Sequence, residues 1–121
     1  MNYQPLPKIE LHLHLDCSLS YEVVHAIDPT VTRERYQTDF IAPAHCEDLV
    51  EYIKRSSTGY LLMQTPEELR LVTLDVLKQL EADGVVYAEI RFAPLLHTLK
   101  GLSPAQVVIA IQKALQEGST H

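Results

Sequence analysis

His12 and His14 stand two residues apart in the run Lys8-Ile9-Glu10-Leu11-His12-Leu13-His14-Leu15-Asp16. On an extended chain, side chains two apart leave the same face. Two neutral imidazoles side by side are good ligands for one divalent metal, zinc above all. Spacing alone is weak evidence, because a chain of 121 residues with six His holds roughly 0.3 such pairs by chance. The surroundings sharpen it. Glu10 and Asp16 continue the same face, and a polar face on an inner strand costs several kcal/mol unless it is satisfied. Metal ligation is therefore favoured over a polar face that is merely hydrogen-bonded.

Other reactive residues carry less. His45-Cys46-Glu47 matches half of a zinc-deaminase signature, but that chemistry also needs a Pro-Cys-x-x-Cys pair, and the other cysteine, Cys17, lies upstream. Glu89 and Arg91 share a strand face, where a structural ion pair is favoured over catalysis. His25 falls on a helix and His97 in a loop, as surface or capping residues, and His121 ends the chain. Cys17 and Cys46 are expected as reduced thiols. The sequence contains neither a glycine-rich phosphate loop nor a Gly-x-Ser-x-Gly elbow.

The elements that must position these residues follow from periodicity. Residues 8–15 alternate, with Ile9, Leu11, Leu13 and Leu15 on one side and Lys8, Glu10, His12 and His14 on the other, which predicts a strand. A short helix is expected from about Ser20 to Ile27, ended by Asp28-Pro29. Residues 29–47 show no regular pattern. Asp48 to Arg55 predicts another short helix, with Leu49, Tyr52 and Ile53 on one face.

Thr65-Pro66-Glu67-Glu68 is a capping box with proline at the first helical position, and Gly84 closes the helix it opens. Its stripe is Leu69, Val72, Val76 and Leu80. Val85 to Phe92 predicts a second strand. Ser103-Pro104-Ala105-Gln106 opens a last helix running to Gly118, with Val108, Ile111 and Leu115 as its buried stripe.

Strand, helices, strand and helix make a βαβ unit, hence a parallel pair and an α/β fold. Two parallel strands have open edges, so residues 1–121 are expected to be the front segment of a larger α/β domain. Apolar residues make up 46% and charged residues 21%, an ordinary globular balance. The net charge of −6 argues against nucleic acid or an anionic membrane surface as partner. Neither a membrane span nor a signal peptide is evident, so a cytoplasmic protein is expected. Oligomeric state is not legible.

The run Pro7 to Asp16 resembles the opening motif of the adenosine deaminase family of metal-dependent aminohydrolases. Gly84-Val85-Val86-Tyr87-Ala88-Glu89-Ile90-Arg91-Phe92-Ala93-Pro94 is similar to that family's second barrel strand and its exit. Leu102-Ser103-Pro104 with Val107-Val108 fits the helix that follows. The resemblance covers about residues 5–120. It implies a TIM-type (β/α)₈ barrel, of which this chain supplies about two βα units. It also implies one Zn²⁺, a water activated by that ion, and hydrolytic loss of the amino group from a purine nucleoside.

By the same resemblance His12 and His14 match zinc ligands, and Asp16 matches the residue that contacts the ribose. Leu49, Tyr52 and Ile53 resemble the apolar helix that gates the substrate pocket, although ordinary amphipathic packing fits that trio equally well. No catalytic residue is assigned within the chain, because the family places its general acid/base Glu and further ligands downstream. Adenine deaminases of similar fold tend to carry Glu where Asp16 stands, so a nucleoside such as adenosine or 2'-deoxyadenosine is favoured over the free base. A modified adenosine nucleoside remains open. One departure is plain: Cys17 stands where the family usually has Gly, a residue that permits close backbone approach. Cys17 as an additional ligand is the minor alternative.

Two other readings remain. Phosphoesterases of the second His-x-His barrel type usually continue with Ser or Thr and an Asp-Gly pair, absent after His14. A catalytically inert metal-binding module is the third reading.

Overall fold

The computed structural model describes residues 1–119, so His121 lies outside the described residues. Strand β1 (Lys8–His14) pairs in parallel with β2 (Val85–Arg91) in a two-stranded sheet. Between them run α1 (Tyr21–Ile27), α2 (Arg33–Asp39), α3 (Leu49–Ile53), α4 (Ser56–Leu61) and α5 (Pro66–Ala82). After β2 comes α6 (Pro104–Ser119). Each strand leaves the sheet through a short 3₁₀ turn, Leu15–Cys17 after β1 and Pro94–His97 after β2. The architecture is α/β with a parallel pair, as the alternation of patterns predicts.

The long helices form where their caps say. Thr65 Oγ1 accepts the Glu68 N–H at 3.2 Å, with Pro66 at the first position of α5. At its far end Gly84 takes φ +76°, the left-handed geometry that favours glycine after a helix. Ser103 and Gln106 cap reciprocally: Ser103 Oγ accepts the Gln106 N–H, and Gln106 Oε1 accepts the Ser103 N–H. Thr32 and Asp48 cap α2 and α3 in one direction only, Thr32 Oγ1 accepting the Arg35 N–H and Asp48 Oδ1 the Glu51 N–H.

Leu69, Val72 and Val76 of α5 meet Val107, Ile111 and Ala114 of α6 in a core completed by Leu15, Val24 and Met63. Of the expected α6 stripe, Ile111 is buried and Leu115 packs partly buried against the core, but Val108 is exposed and Val107 takes the buried place. The α5 stripe is as expected, with Leu80 partly buried.

The strand departs further from expectation. Leu13 and Leu15 face the core, but Ile9 and Leu11 are 64% and 57% exposed. The helical layer packs on β2 and on the turn after β1, leaving the first half of β1 uncovered. α2 lies within the stretch that showed no regular pattern, whereas α3 falls inside the helix expected over residues 48–55 and ends two residues short of it, α4 beginning beyond it at Ser56.

Candidate functional site

β1 reaches its C-terminal end through a bulge. Glu10 pairs with Ala88 and Leu13 with Ile90, so β1 carries one more residue over that span than β2 does. Bulges next to functional sites re-aim side chains. Here the freed His12 N–H donates to Glu10 Oε1 at 3.0 Å, so a carboxylate of the same strand satisfies the bulged backbone. Leu11 and His12 are consecutively exposed as a result.

The two imidazoles then converge. His12 Nε2 and His14 Nε2 stand 2.9 Å apart, with ring centroids 4.9 Å apart and planes inclined at 37°. Two nitrogens each about 2.0–2.1 Å from one tetrahedral ion would be about 3.3 Å apart, close to this separation. Both rings are open to solvent. The pair therefore fits two positions of a zinc coordination sphere, while among the described residues no group of three or more His, Cys, Asp or Glu forms around a common point.

Asp16 follows in the 3₁₀ turn, half-buried. This turn is anchored on every side. Leu15 is fully buried beneath it. Ser18 Oγ donates to the His14 carbonyl at 2.6 Å, and Gln79 Nε2 donates to the Ser18 carbonyl at 2.8 Å. The Tyr36 hydroxyl donates to the Leu19 carbonyl at 2.7 Å. Asp75 accepts both the N–H and the hydroxyl of Ser20, the residue that caps α1.

Cys17 lies at the rim of a 170 Å³ cleft that it lines with Phe40, Ile41, Tyr52 and Ile53. Partial burial, and after it the neighbouring Asp16 carboxylate, push the thiol up to about 11. At neutral pH the free thiol stays protonated and is a poor nucleophile. The structure thus brings Tyr52 and Ile53 to the turn that bears Asp16 but leaves Leu49 outside this cleft. None of the three is buried in the core, and Leu49, Tyr52 and Ile53 are 71%, 58% and 49% exposed.

Several other expectations are corrected. His97 is fully buried, not a surface or capping residue, and its Nδ1–H donates to the Met63 carbonyl at 3.0 Å. Burial lowers its pKa, only partly opposed by that bond and by the charge of Asp16. Beside it buried Gln64 donates to the Tyr60 and Leu96 carbonyls and accepts the Leu99 N–H. Glu89 accepts the Tyr87 hydroxyl at 3.1 Å, and no Glu89–Arg91 ion pair forms among the described residues. His25 is a surface residue, as expected, stacked on Tyr21. Both cysteines are free. No helix among the described residues is long and apolar enough to cross a membrane.

Fold and site together define an α/β protein with a histidine pair at the exit of its first parallel strand. The sequence model of the family described as adenosine deaminase matches residues 7–121, and the chain belongs to that family. Among its relatives, the adenosine deaminase of Haemophilus ducreyi is 41% identical over 117 residues, which are 91% of this chain and 34% of that protein. The adenosine deaminase of Enterococcus faecalis is 39% identical over 93% of this chain and 35% of that protein. That of Shewanella woodyi is 34% identical over 96% and 37%. The chain therefore spans about a third of the length of these curated relatives. A solved adenine deaminase from Arthrobacter aurescens shares the fold, with a TM-score of 0.68 and 24% identity, over 93% of this chain and 35% of that one.

Sequence reasoning missed the anchors of the Asp16 turn. Asp75 and Gln79 sit on the polar side of α5 at i, i+4, a pattern indistinguishable from a solvated helix face until α1 is placed against it. Gln64 carried one signal, its position immediately before the Thr65 cap.

Proposed function

We propose that the protein to which this chain belongs is a zinc-dependent aminohydrolase that converts adenosine, or 2'-deoxyadenosine, to inosine or its deoxy counterpart. The observation that carries the reading is the convergence of His12 Nε2 and His14 Nε2 at 2.9 Å at a strand end, in a chain of this family. In this reading residues 1–121 are the N-terminal segment of a (β/α)₈ barrel, whose C-terminal mouth is where such folds build their sites. The partner is a small-molecule purine nucleoside, and the setting is cytoplasmic purine metabolism.

When bound, zinc supplies Lewis-acid activation of water at neutral pH. His12 and His14 hold it through Nε2, the nitrogens that face one another. Asp16 accepts a hydrogen bond from a sugar hydroxyl, charge-assisted and therefore strong. Tyr52 and Ile53, with Leu49 on the same helix, close apolar surface over the substrate and exclude bulk water. Proton transfer falls to a glutamate downstream of this chain, a contribution of about 10²–10⁴-fold in such enzymes.

The test is zinc stoichiometry beside an absorbance assay of adenosine conversion, both on the complete protein. One zinc per chain and chelator-sensitive conversion are expected. Full turnover by protein stripped of zinc would overturn the reading. Faster conversion of adenine than of adenosine would move the substrate to the free base.

A further inference from the structure

Gly59 lies buried in α4 with its α-carbon turned towards the Asp16 turn. A β-carbon built on it would overlap the carbonyl oxygen of Asp16, and would lie 3.2 Å from the Asp16 carbonyl carbon and 3.4 Å from Leu19 Cδ1. Gly84 and Gly101 are the glycines with positive φ, so backbone conformation does not require glycine at 59. Proximity does. The obstacle is main chain, which cannot swing aside as the end of a side chain can.

Nor can the turn retreat freely. On its other sides Leu15 is packed into the core, Tyr36 holds the Leu19 carbonyl, and Asp75 holds Ser20. The chain just beyond Gly59 also reaches the second strand's exit, through Met63 to His97 and through Gln64 to Leu96 and Leu99. Residues 59–64 thus abut the exits of both strands.

We propose that Gly59 is a positioning residue for nucleoside recognition: its missing β-carbon seats α4 against the Asp16 carbonyl and so fixes where the Asp16 carboxylate meets the sugar. This rests on the reading of Asp16 as the sugar contact. A displacement near 1 Å at a substrate-positioning group costs on the order of 10²-fold. The loss falls on the part of the substrate that Asp16 touches, and not on zinc.

The experiment compares kcat/KM for adenosine with that for 9-methyladenine, which lacks the sugar, in the complete protein that carries this chain. Zinc content and thermal midpoint are measured beside it. Gly59→Ala is expected to lower the adenosine to 9-methyladenine ratio by at least about tenfold with parental zinc content. Gly118→Ala is the control, because there an added β-carbon meets the movable ends of Leu77 and Leu74, far along α6. It should leave the ratio unchanged.

A parental ratio in Gly59→Ala overturns the proposal, as does an equal fall in Gly118→Ala. Asp16→Asn separates the two levels. If it lowers the ratio while Gly59→Ala does not, the inference alone fails; if Asp16→Asn leaves the ratio intact, the reading of Asp16 fails and this inference with it. Should Gly59→Ala not fold, Tyr36→Phe is added to release the Leu19 carbonyl and give the turn room. Recovery of folded protein with a lowered ratio supports the proposal, and continued unfolding or a parental ratio overturns it.

Discussion

At the scale of single residues, the site depends on how one strand end presents three side chains. His12 owes its direction to the bulge and to the Glu10 carboxylate that satisfies its N–H. Its Nε2 then meets that of His14, and in the proposed reading replacing both by alanine would remove half of a four-coordinate shell. The His12→Ala, His14→Ala double variant of the complete protein is expected to hold no stoichiometric zinc and to show no deaminase activity. Metal analysis checks this, and full zinc occupancy would sink the assignment. In the same reading Asp16 plays a different part, as a contact to the sugar. Asp16→Asn keeps the shape but loses charge assistance, worth about twofold in hydrogen-bond strength. It should cut nucleoside turnover far more than zinc content. Zinc loss with unchanged nucleoside specificity would make Asp16 a ligand instead.

At the scale of elements, the two strand exits are held by polar contacts from helices, and one of these titrates. His97 is buried with its Nδ1–H on the Met63 carbonyl, and burial holds its folded pKa below the ordinary 6.5. Between the folded and unfolded values the unfolded chain binds a proton that the folded one does not. Stability is therefore complete above about pH 6.5 and falls as pH drops through that window, by up to about 1.4 kcal/mol per pH unit. Urea midpoints of the complete protein measured from about pH 7 down to about pH 5 should show this fall. A His97→Gln variant should lack that share of the slope, and an identical slope in both proteins would refute it.

This buried imidazole also shows where sequence reading stops. The capping boxes at Thr65 and Ser103 announce α5 and α6 because capping is local chemistry. The histidine pair is legible because period two is local as well. His97, Gln64 and Asp75 acquire meaning from partners more than thirty residues away, which no local pattern encodes. The bulge is equally hidden, since alternation reads on through it while the pairing slips by one residue. α6 shows the same limit in milder form: Val107 and Val108 are both apolar, and the packing of α5 decides which one is buried.

At the scale of the whole molecule, the described sheet has two strands and two open edges. Beside β2 lies a 530 Å³ groove lined by Leu77, Leu80, Val86, Tyr87 and Leu115. Val86 and Tyr87 are 71% and 54% exposed, and Ile9 and Leu11 of β1 are open as well. Exposed parallel edges with apolar flanks invite association. A barrel of this class needs eight strands to cover such edges, and a catalytic zinc ordinarily has three protein ligands. A polypeptide of residues 1–121 alone, purified and saturated with zinc, is therefore expected to bind the ion weakly and to leave adenosine unconverted. Its apolar edges should make it elute from a sizing column as oligomers or aggregates. The measurement is adenosine absorbance beside a complete relative such as the Haemophilus ducreyi enzyme. Zinc-dependent turnover within about tenfold of that relative, from a monodisperse monomer, would mean that two imidazoles and two strands suffice, and that downstream proton transfer contributes far less than the usual 10²–10⁴-fold.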